Sequence, residues 1–398
     1  MLDVSQGLAG PFAAMRLGDA GADVIKIEPV CGDSSRVMGP PFVDGESSVF
    51  LSINRNKRSL ALDLGQPQGR DVLRLLCATA DILIEDWGPG QAEAGGLSYD
   101  ELRTTNPGLI WCSITPFGET GPMADLPGAE VVVQAMSDYM NSLGRMGDAP
   151  IRMGTDAANL NTGITASQAV TAALLARLRG GVGQRVSVSM LGTLLHLRGV
   201  QWTCMNNPDE WFGLYNDHYT RSPDHGYRTK DGRVYWGLRR GGSEDWKRLL
   251  AESGMDKHRN DPRFAEDGKD VHSWGRYAPE VKPLWEEAFI EKGLTRDDVI
   301  KLVLAVKGDA VPFSDYPTLD ADEQVRQRGL FIDVEHPNTG TFRAVIPAWR
   351  FSDTPASVRL APPSIGQHTR EVLAAAGCDR ARIDDLWAKG VVSGPQPT

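Results

Sequence analysis

One acidic residue, Asp156, stands in a setting suited to covalent chemistry. It follows Gly154 and precedes a short polar loop that leads into a long helical pattern near Gly163. A carboxylate in such a place can attack an activated acyl group and become acylated. An aspartate at a helix entry is also a common N-cap, which would make its role structural. The local pattern leaves both interpretations open.

Other sources of nucleophilic or metal chemistry have no support in the sequence. It contains no Gly-x-Ser-x-Gly nucleophile elbow and no P-loop. Its five cysteines are scattered and never form a Cys-x-x-Cys pair, and its seven histidines show no His-Glu-x-x-His spacing. We therefore expect no disulfide framework and no metal site, as in a protein of the reducing cytoplasm.

The densest run of basic residues is Asn-Arg-Asn-Lys-Arg at positions 54–58. Lys57 and Arg58 are of the residue types that bind phosphate. The alternative is a solvated turn between two strands, and the local pattern favours neither.

The glycines at positions 7, 10, 18 and 21 surround the first predicted helix. They do not match the Gly-x-Gly-x-x-Gly spacing that cradles a dinucleotide pyrophosphate after a first strand. We therefore do not predict a dinucleotide site of the Rossmann type.

These residues must be positioned by a scaffold in which buried strands alternate with helices. Apolar runs predict the following strands: 1–4, 22–27, 60–64, 81–85, 109–115 and 185–188. Periodicity predicts the following helices: 11–20, 68–80, 99–106 and 162–179. Such alternation is typical of an open α/β domain with a parallel sheet. The predicted domains are a large α/β domain over 1–205, a smaller α+β domain over 206–311 and a C-terminal part over 312–398.

Composition excludes several classes of partner. The formal net charge is −10, which argues against nucleic-acid binding because that function needs a basic face. No apolar run reaches the roughly 20 residues of a membrane helix. The N-terminal residues lack the basic and apolar regions of a signal peptide. We expect a cytoplasmic protein that acts on small molecules.

Eight segments occur in an order that resembles the class III CoA-transferases, the CaiB/BaiF family that includes formyl-CoA and carnitine CoA-transferases. They are LDVS at 2–5, AGP at 9–11, GADVIKIE at 21–28, NRNKRS at 54–59, DILIEDWGPG at 81–90, SITPFG at 113–118, GGVGQRVSVS at 180–189 and GQHTREVL at 366–373. Each is short, but together they span nearly the whole chain. The resemblance implies an enzyme that moves coenzyme A between an acyl-CoA and a carboxylic acid. CoA esters would be substrates, with no tightly bound cofactor.

The resemblance also implies a fold and an assembly. A doubly wound, open-sheet large domain would be built from both chain ends, and the smaller α+β domain would be inserted between them. Two chains would form an interlocked homodimer. Each active site would lie between the large domain of one chain and the small domain of its partner.

The mechanism that the resemblance implies needs an aspartate just ahead of the long helix, which forms an anhydride and then a thioester with CoA. A rigid count back from Asn161-Thr162-Gly163 places that residue at Asn159, and an amide cannot form the anhydride. We interpret the loop as three residues longer, so that Asp156 is the nucleophile. The alternative is that the chain has lost its nucleophile.

The resemblance implies further site residues. Glu130 would orient the substrate or support the nucleophile, and the structural alternative is a first-turn role in a helix. The expected CoA-binding residues are Leu8, Ala9, Lys57, Arg58, Asp86, Trp87 and Gly88. The expected acceptor-binding residues are Tyr219, Arg221 and His225, which would otherwise pack the small domain.

Two alternative functions stay open at this point. One is an isomerase of the same family, either a racemase or an intramolecular CoA mover; Gly128-Ala129-Glu130 lacks the histidine that the related racemases carry. The other is an inactive CoA-binding protein, in keeping with Asn159. Residues 217–223 are not glycine-rich, unlike the loop of formyl-CoA transferases, which argues against formyl or oxalyl specificity.

Overall fold

The computed structural model describes residues 1–141, 149–199, 202, 226–237, 242–261 and 271–395. The chain divides into two compact units. The first unit comprises Met1–Tyr139, Arg152–Gly199 and Arg326–Thr398. The second comprises Met140–Ile151 and Val200–Val325. Both chain ends therefore belong to the first unit.

The described strands and helices are as follows. The strands are β1 (Leu2–Asp3), β2 (Val24–Glu28), β3 (Phe42–Val43), β4 (Glu46–Ser47), β5 (Lys57–Leu62), β6 (Ile82–Glu85), β7 (Ile110–Thr115), β8 (Arg185–Ser189), β9 (Tyr227–Arg228), β10 (Arg233–Gly237), β11 (Asp309–Pro312), β12 (Phe331–His336), β13 (Gly340–Val345) and β14 (Val392–Ser393). The helices are α1 (Ala9–Asp19), α2 (Ser48–Ile53), α3 (Pro67–Cys77), α4 (Gln91–Ala94), α5 (Tyr99–Thr105), α6 (Glu130–Met136), α7 (Ala157–Gly180), α8 (Met190–Leu197), α9 (Ser243–Ser253), α10 (Val271–Glu291), α11 (Arg296–Ala305), α12 (Tyr316–Ala321), α13 (Glu323–Arg328), α14 (Thr369–Ala375) and α15 (Arg380–Ala388).

The first unit is organised around a seven-stranded sheet with the order β14-β5-β2-β1-β6-β7-β8. The pairs from β5 to β8 are parallel, and the edge strand β14 pairs with β5 in the antiparallel sense. The predicted α/β fold with a large parallel sheet is confirmed. Because β14 comes from the C-terminal segment, this end of the chain completes the sheet that the N-terminal half begins.

The inner strands β6 and β7 of this sheet are buried on both faces. Along β6, Ile82 and Ile84 lie in one apolar core with α1 and α7, whereas Leu83 lies in a second core with α3, α14 and α15. Successive side chains of a strand point to opposite faces, so the two cores cover the two sides of the sheet. The crossover after β1 uses α1 on the first face. The crossover after β6 passes α5, whose Leu102 lies in the core of the second face.

The second unit contains a separate three-stranded sheet with the order β11-β10-β9, in which both pairs are antiparallel. Its core is rich in aromatic side chains. Trp236 of β10 contacts Trp285 of α10 edge-on, with ring centroids 4.8 Å apart. Apolar side chains of α9 and α11, among them Leu249 and Val303, complete this core.

Two predicted boundaries differ from the structure in ways that matter for the site. The long helix α7 begins at Ala157 rather than at 162. Strand β5 begins at Lys57 rather than at 60, so Lys57 and Arg58 lie in a central strand and not in a turn. In both cases the cause is a contact with a residue distant in sequence, as described below.

Candidate active site

Strands β1 and β6 form the switch point of the sheet, and we call the space at their carboxyl edge the crevice. Their two crossovers run to opposite faces, and ligands of open α/β sheets bind at such a switch point. The loop after β1 and the loop after β6 meet there, because the N–H of Gln6 donates to Oδ2 of Asp86 at 2.9 Å. Five predicted CoA-binding residues belong to these two loops and their flanks: Leu8, Ala9, Asp86, Trp87 and Gly88.

Trp87 is held in place by the strand that precedes it. Its N–H donates to Oε2 of Glu85 at 2.6 Å, and its ring lies edge-on to Trp111, with centroids 6.2 Å apart. Glu85 is buried, which raises the pKa of its carboxyl, and it also accepts the indole N–H of Trp111 at 3.0 Å. An aromatic side chain is thus fixed and half-buried at the rim of the crevice.

Asp86 differs from Glu85 in that the residue is exposed. Burial of its surroundings raises the pKa of Asp86 to about 7, against the N–H bond from Gln6, which lowers it. The exposed position of the side chain argues for a smaller rise, since solvent stabilises the charged form. Asp86 is thus the one exposed carboxylate that joins the two loops of the crevice in the described residues.

Buried charges under the crevice shape its first loop. The Lys26 ammonium donates to the carbonyl of Ser5 at 2.8 Å and pairs with Asp33 at 2.6 Å. Asp33 in turn accepts the N–H of Gly7 at 3.1 Å, and Gly7 has a φ of 73°, which favours glycine. These buried partners are charge-paired, so the loop after β1 rests on a rigid base.

The structure places Lys57 away from solvent. Its ammonium is fully buried and donates to Asp3 at 2.8 Å, to the carbonyl of Pro11 at 2.8 Å and to Asn54 at 2.7 Å. Burial lowers the pKa of Lys57 to about 8, and the ion pair with Asp3 opposes this shift. A lysine has three N–H donors, and all three are used inside the protein. This placement speaks against phosphate binding by Lys57.

Arg58 points outward from the same strand. It pairs with Asp23 and with Glu371, each at 2.7 Å, and its side chain is about one-fifth exposed. These two surface carboxylates hold the guanidinium beside the outer part of the sheet. The prediction that Arg58 contacts CoA phosphate stays a prediction.

Asp156 occupies the N-cap position of α7, but its side chain makes no capping hydrogen bond. The side chain is 43% exposed, and Arg152 is its ion-pair partner at the long distance of 3.9 Å. The interpretation of Asp156 as an ordinary side-chain cap is therefore wrong. The carboxylate stands at the start of a 24-residue helix without being tied to it.

Helix α6 accepts hydrogen bonds from the backbone on both sides of Asp156. Glu130 and Gln134 lie one turn apart on this helix and are both buried. Before Asp156, Gln134 accepts the N–H of Met153 at 3.0 Å. After it, Glu130 accepts the N–H of Ala158 at 2.7 Å. We call Glu130 and Gln134 the α6 clamp, and the two residues are joined to each other at 2.7 Å.

Asn159 faces the α6 clamp. Its backbone N–H and its side-chain amide both donate to Oε2 of Glu130, each at 2.8 Å. The residue that the rigid count selects is therefore bound to Glu130. No hydrogen bond joins Asp156 to Glu130, although both residues are described.

The packing of α7 on α1 brings Asp156 to the crevice side of the sheet. A Cβ at Gly163 would lie 2.7 Å from the carbonyl oxygen of Ala9, so the helices touch there. Further along both helices, Arg16 donates to Ser167 at 3.1 Å. This order shows that the helices run in the same direction, with both N-termini at the carboxyl edge of β1. Asp156 lies about 10 Å along the axis from the Gly163 contact.

Some predicted site residues cannot be placed. Tyr219, Arg221 and His225 lie outside the described residues. Within the described residues, no group of three or more His, Cys, Asp or Glu side chains is arranged to hold a metal ion. A search of the same residues finds no helix that is long and apolar enough to span a membrane.

Comparisons with known proteins place the chain in a family. The family model for CoA-transferase family III matches residues 1–369, and the chain belongs to this family. It is 32% identical to the human succinyl-CoA:glutarate CoA-transferase, over 98% of this chain and 88% of the human protein. It is 35% identical to the succinate–glutarate CoA-transferase of Agrobacterium fabrum, over 94% of each chain.

A solved structure shows the same fold. The crystal structure of a CaiB/BaiF family protein from Brucella suis superposes with a TM-score of 0.81 at 29% identity, covering 94% of this chain and 97% of that one. The predictions of a class III CoA-transferase and of its enzymatic function are confirmed. The protein moves coenzyme A between an acyl-CoA and a carboxylic acid.

Gln134 is a site residue that the sequence pattern does not predict. The available signal was an acid and an amide four positions apart, Glu130 and Gln134, on a helix that otherwise carries mostly apolar residues. Buried polar pairs at this spacing have partners to satisfy. Their partners, the N–H groups around Asp156, are distant enough in sequence that the pattern alone does not point to them.

Proposed function

We propose that Asp156 is the covalent nucleophile of this CoA-transferase. An oxygen of its carboxylate attacks the thioester carbonyl, the C–S bond breaks and CoA leaves as a thiolate. The thiolate then attacks the aspartyl carbonyl of the mixed anhydride, which releases the donor acid and leaves an aspartyl-CoA thioester. The acceptor carboxylate opens this thioester, and the thiolate attacks the acceptor's acyl carbon, so that Asp156 is regenerated.

The observation that carries this proposal is the state of the Asp156 carboxylate. It lies at the crevice side of the sheet, about two-fifths exposed and free of capping bonds. A carboxylate is a weak nucleophile in water, so its contribution depends on being held close to the thioester in a fixed orientation. The α6 clamp fixes the backbone on either side of Asp156 and leaves the side chain available.

The CoA moiety is proposed to lie in the crevice between the loops after β1 and β6. Leu8 and Ala9 on one side and Asp86, Trp87 and Gly88 on the other would contact its nucleotide end. Arg58 would bind a phosphate only if CoA extends to the outer strands. Lys57 is not proposed for this role, because its three N–H donors are bound inside the protein. Tyr219, Arg221 and His225 are proposed to bind the acceptor carboxylate.

The substrates are proposed to be short dicarboxylic acids and their CoA esters. The support is the naming of two relatives, at 32% and 35% identity, as succinyl-CoA:glutarate and succinate–glutarate CoA-transferases. We further propose a cytoplasmic homodimer with no tightly bound cofactor.

Mass spectrometry of the intact protein tests the nucleophile. After incubation with succinyl-CoA, hydroxylamine should convert the aspartyl thioester to a hydroxamate that peptide mapping places on Asp156. Asp156→Asn should abolish the adduct, whereas the matched surface variant Asp125→Asn should retain it.

The alternative that this chain has lost its nucleophile rests on the contact between Asn159 and Glu130, and it conflicts with the transferase function of the family. It predicts that the wild-type chain binds CoA esters without an adduct, and that Asn159→Asp gains an adduct at residue 159. The two hypotheses are therefore separated by the position of the hydroxamate. An adduct at neither position, in the presence of measurable transferase activity, would contradict both.

A further inference from the structure

The first turn of α7 is fully capped without help from the side chain at its N-cap. A helix opens with four N–H groups that lack partners inside the helix. The N–H group of Ala157 donates to the main-chain carbonyl oxygen of Thr155 at 2.8 Å, and that of Leu160 makes the first intrahelical bond, to Asp156, at 2.9 Å. Those of Ala158 and Asn159 donate to the carboxylate of Glu130 at 2.7 and 2.8 Å. The three N–H groups that follow the N-cap residue are thereby satisfied before the intrahelical bonds begin.

The two donors that Glu130 takes are the ones an N-cap side chain normally serves. A capping aspartate accepts from the second or third residue of its helix, here Ala158 or Asn159. Capping residues also have extended backbone angles, whereas Asp156 has a ψ of 62°. Both the occupied donors and the backbone angle keep the Asp156 carboxylate from turning back onto the helix.

A carboxylate bound to helix N–H groups would be a poorer nucleophile. Charge-assisted hydrogen bonds to N–H groups stabilise the ionised carboxylate, and they weaken as its charge passes to the attacked thioester. The positive end of the helix also attracts whichever carboxylate is nearest. In this structure the carboxylate bound to the first N–H groups of α7 is that of Glu130, which belongs to α6.

We propose that Glu130 is a positioning residue that caps α7 in place of Asp156 and so keeps the Asp156 carboxylate free to attack the thioester. The catalytic half of this proposal rests on the proposed function, in which Asp156 is the nucleophile. The capping half stands on the hydrogen bonds of the free protein. The capping half is tested by thermal stability and the catalytic half by the rate of acylation, so each can fail without the other.

The capping half is tested by a double-mutant cycle on thermal stability, with Asp156→Ala in the wild-type and in the Glu130→Gln background. In wild type, Asp156→Ala should leave the melting temperature nearly unchanged, because its side chain caps nothing. Glu130→Gln keeps only one of the two acceptor oxygens. Asp156 should take over the vacated N–H group, so that Asp156→Ala then lowers the melting temperature clearly. Additive effects in the cycle would overturn the capping half.

The catalytic half is tested by single-turnover acylation of the protein with succinyl-CoA. Glu130→Gln should slow the formation of the Asp156 adduct about 5- to 10-fold, the rate equivalent of a typical capping bond, while the dissociation constant for CoA stays unchanged. The matched control is Glu101→Gln, which alters an exposed first-turn glutamate of α5 and should change neither quantity.

The outcomes distinguish the two levels of the proposal. A coupled cycle with slower acylation supports both halves. A coupled cycle with no Asp156 adduct in the wild type overturns the nucleophile assignment, and the catalytic half with it, while the capping exchange stands. Unchanged acylation in Glu130→Gln, with a normal adduct in the wild type, overturns the catalytic half alone.

Discussion

Replacement of Gly163 by alanine should move the proposed nucleophile relative to the CoA crevice. The new Cβ would lie 2.7 Å from the carbonyl oxygen of Ala9, whereas ordinary contact begins at 3.4 Å. Helix α7 must therefore shift by about 0.7 Å from α1, since a backbone oxygen cannot rotate away as a side chain does. Because Asp156 lies on the same rigid helix, this shift is passed on to its carboxylate.

The size of the effect follows from two opposing terms. Overpacking of this kind costs about 1–3 kcal/mol, and the better helix propensity of alanine returns up to about 1 kcal/mol. The free energy of unfolding should thus fall by about 0–3 kcal/mol, and the chain should stay folded. A displacement of about 1 Å at a reacting group can cost 10²-fold in rate. We expect the kcat to fall by about 10-fold to 10²-fold.

The assay compares kcat and urea unfolding for Gly163→Ala and for a matched variant of the same helix. Gly180→Ala is the control, because a Cβ at that position meets nothing within 4 Å. It should preserve activity and leave stability equal or slightly higher. If the two variants behave alike in activity and in unfolding, the close contact between α1 and α7 does not set the position of Asp156.

Two further predictions concern buried and partly buried groups. Lys57→Met should lower the free energy of unfolding by about 3–5 kcal/mol, because the buried carboxylate of Asp3 loses its nearer ion-pair partner and keeps only Lys26 at 3.7 Å. Arg58→Met, at a more exposed pair, should cost at most about 1 kcal/mol, and urea unfolding measures both. His368 accepts the N–H of Ser59 at 3.1 Å, and burial lowers the pKa of His368, so stability should be lost as pH falls from its unfolded value of about 6.5. A His368→Gln variant should show a smaller loss over the same pH range, and an equal loss would contradict this role.

The fold followed from the sequence where one signal repeated along the chain. Buried runs such as Asp-Ile-Leu-Ile-Glu at 81–85 alternate with amphipathic helices, and the order of family-like segments implied the doubly wound sheet. The start of α7 was predicted five residues late. Residues 157–161 carry two asparagines and lack a strong helix signal, and the missing stabilisation comes from Glu130, which lies 28 positions before Ala158.

The candidate site was predictable only in part. The chemistry of Asp156 and the loops around Ala9 and Trp87 stand out as residue types in family-like segments. The burial of Lys57 is not visible in the sequence. Its partner Asp3 lies 54 positions away, and the two residues meet only when β5 pairs into the sheet. A basic cluster in a sequence shows which side chains are present, whereas their burial depends on strand order.

In this region the residues that stabilise the structure, Glu130 and Gln134 of the α6 clamp, differ from the residue proposed to react, Asp156. Glu130 and Gln134 bind mainly backbone groups, and backbone groups are present whatever side chain the chain carries. The side chain at position 156 is therefore not needed to stabilise this part of the fold. Such a scaffold can exchange its reactive group at little risk to its architecture, which makes residue 156 a natural entry point for evolution or redesign toward a different acyl-transfer chemistry.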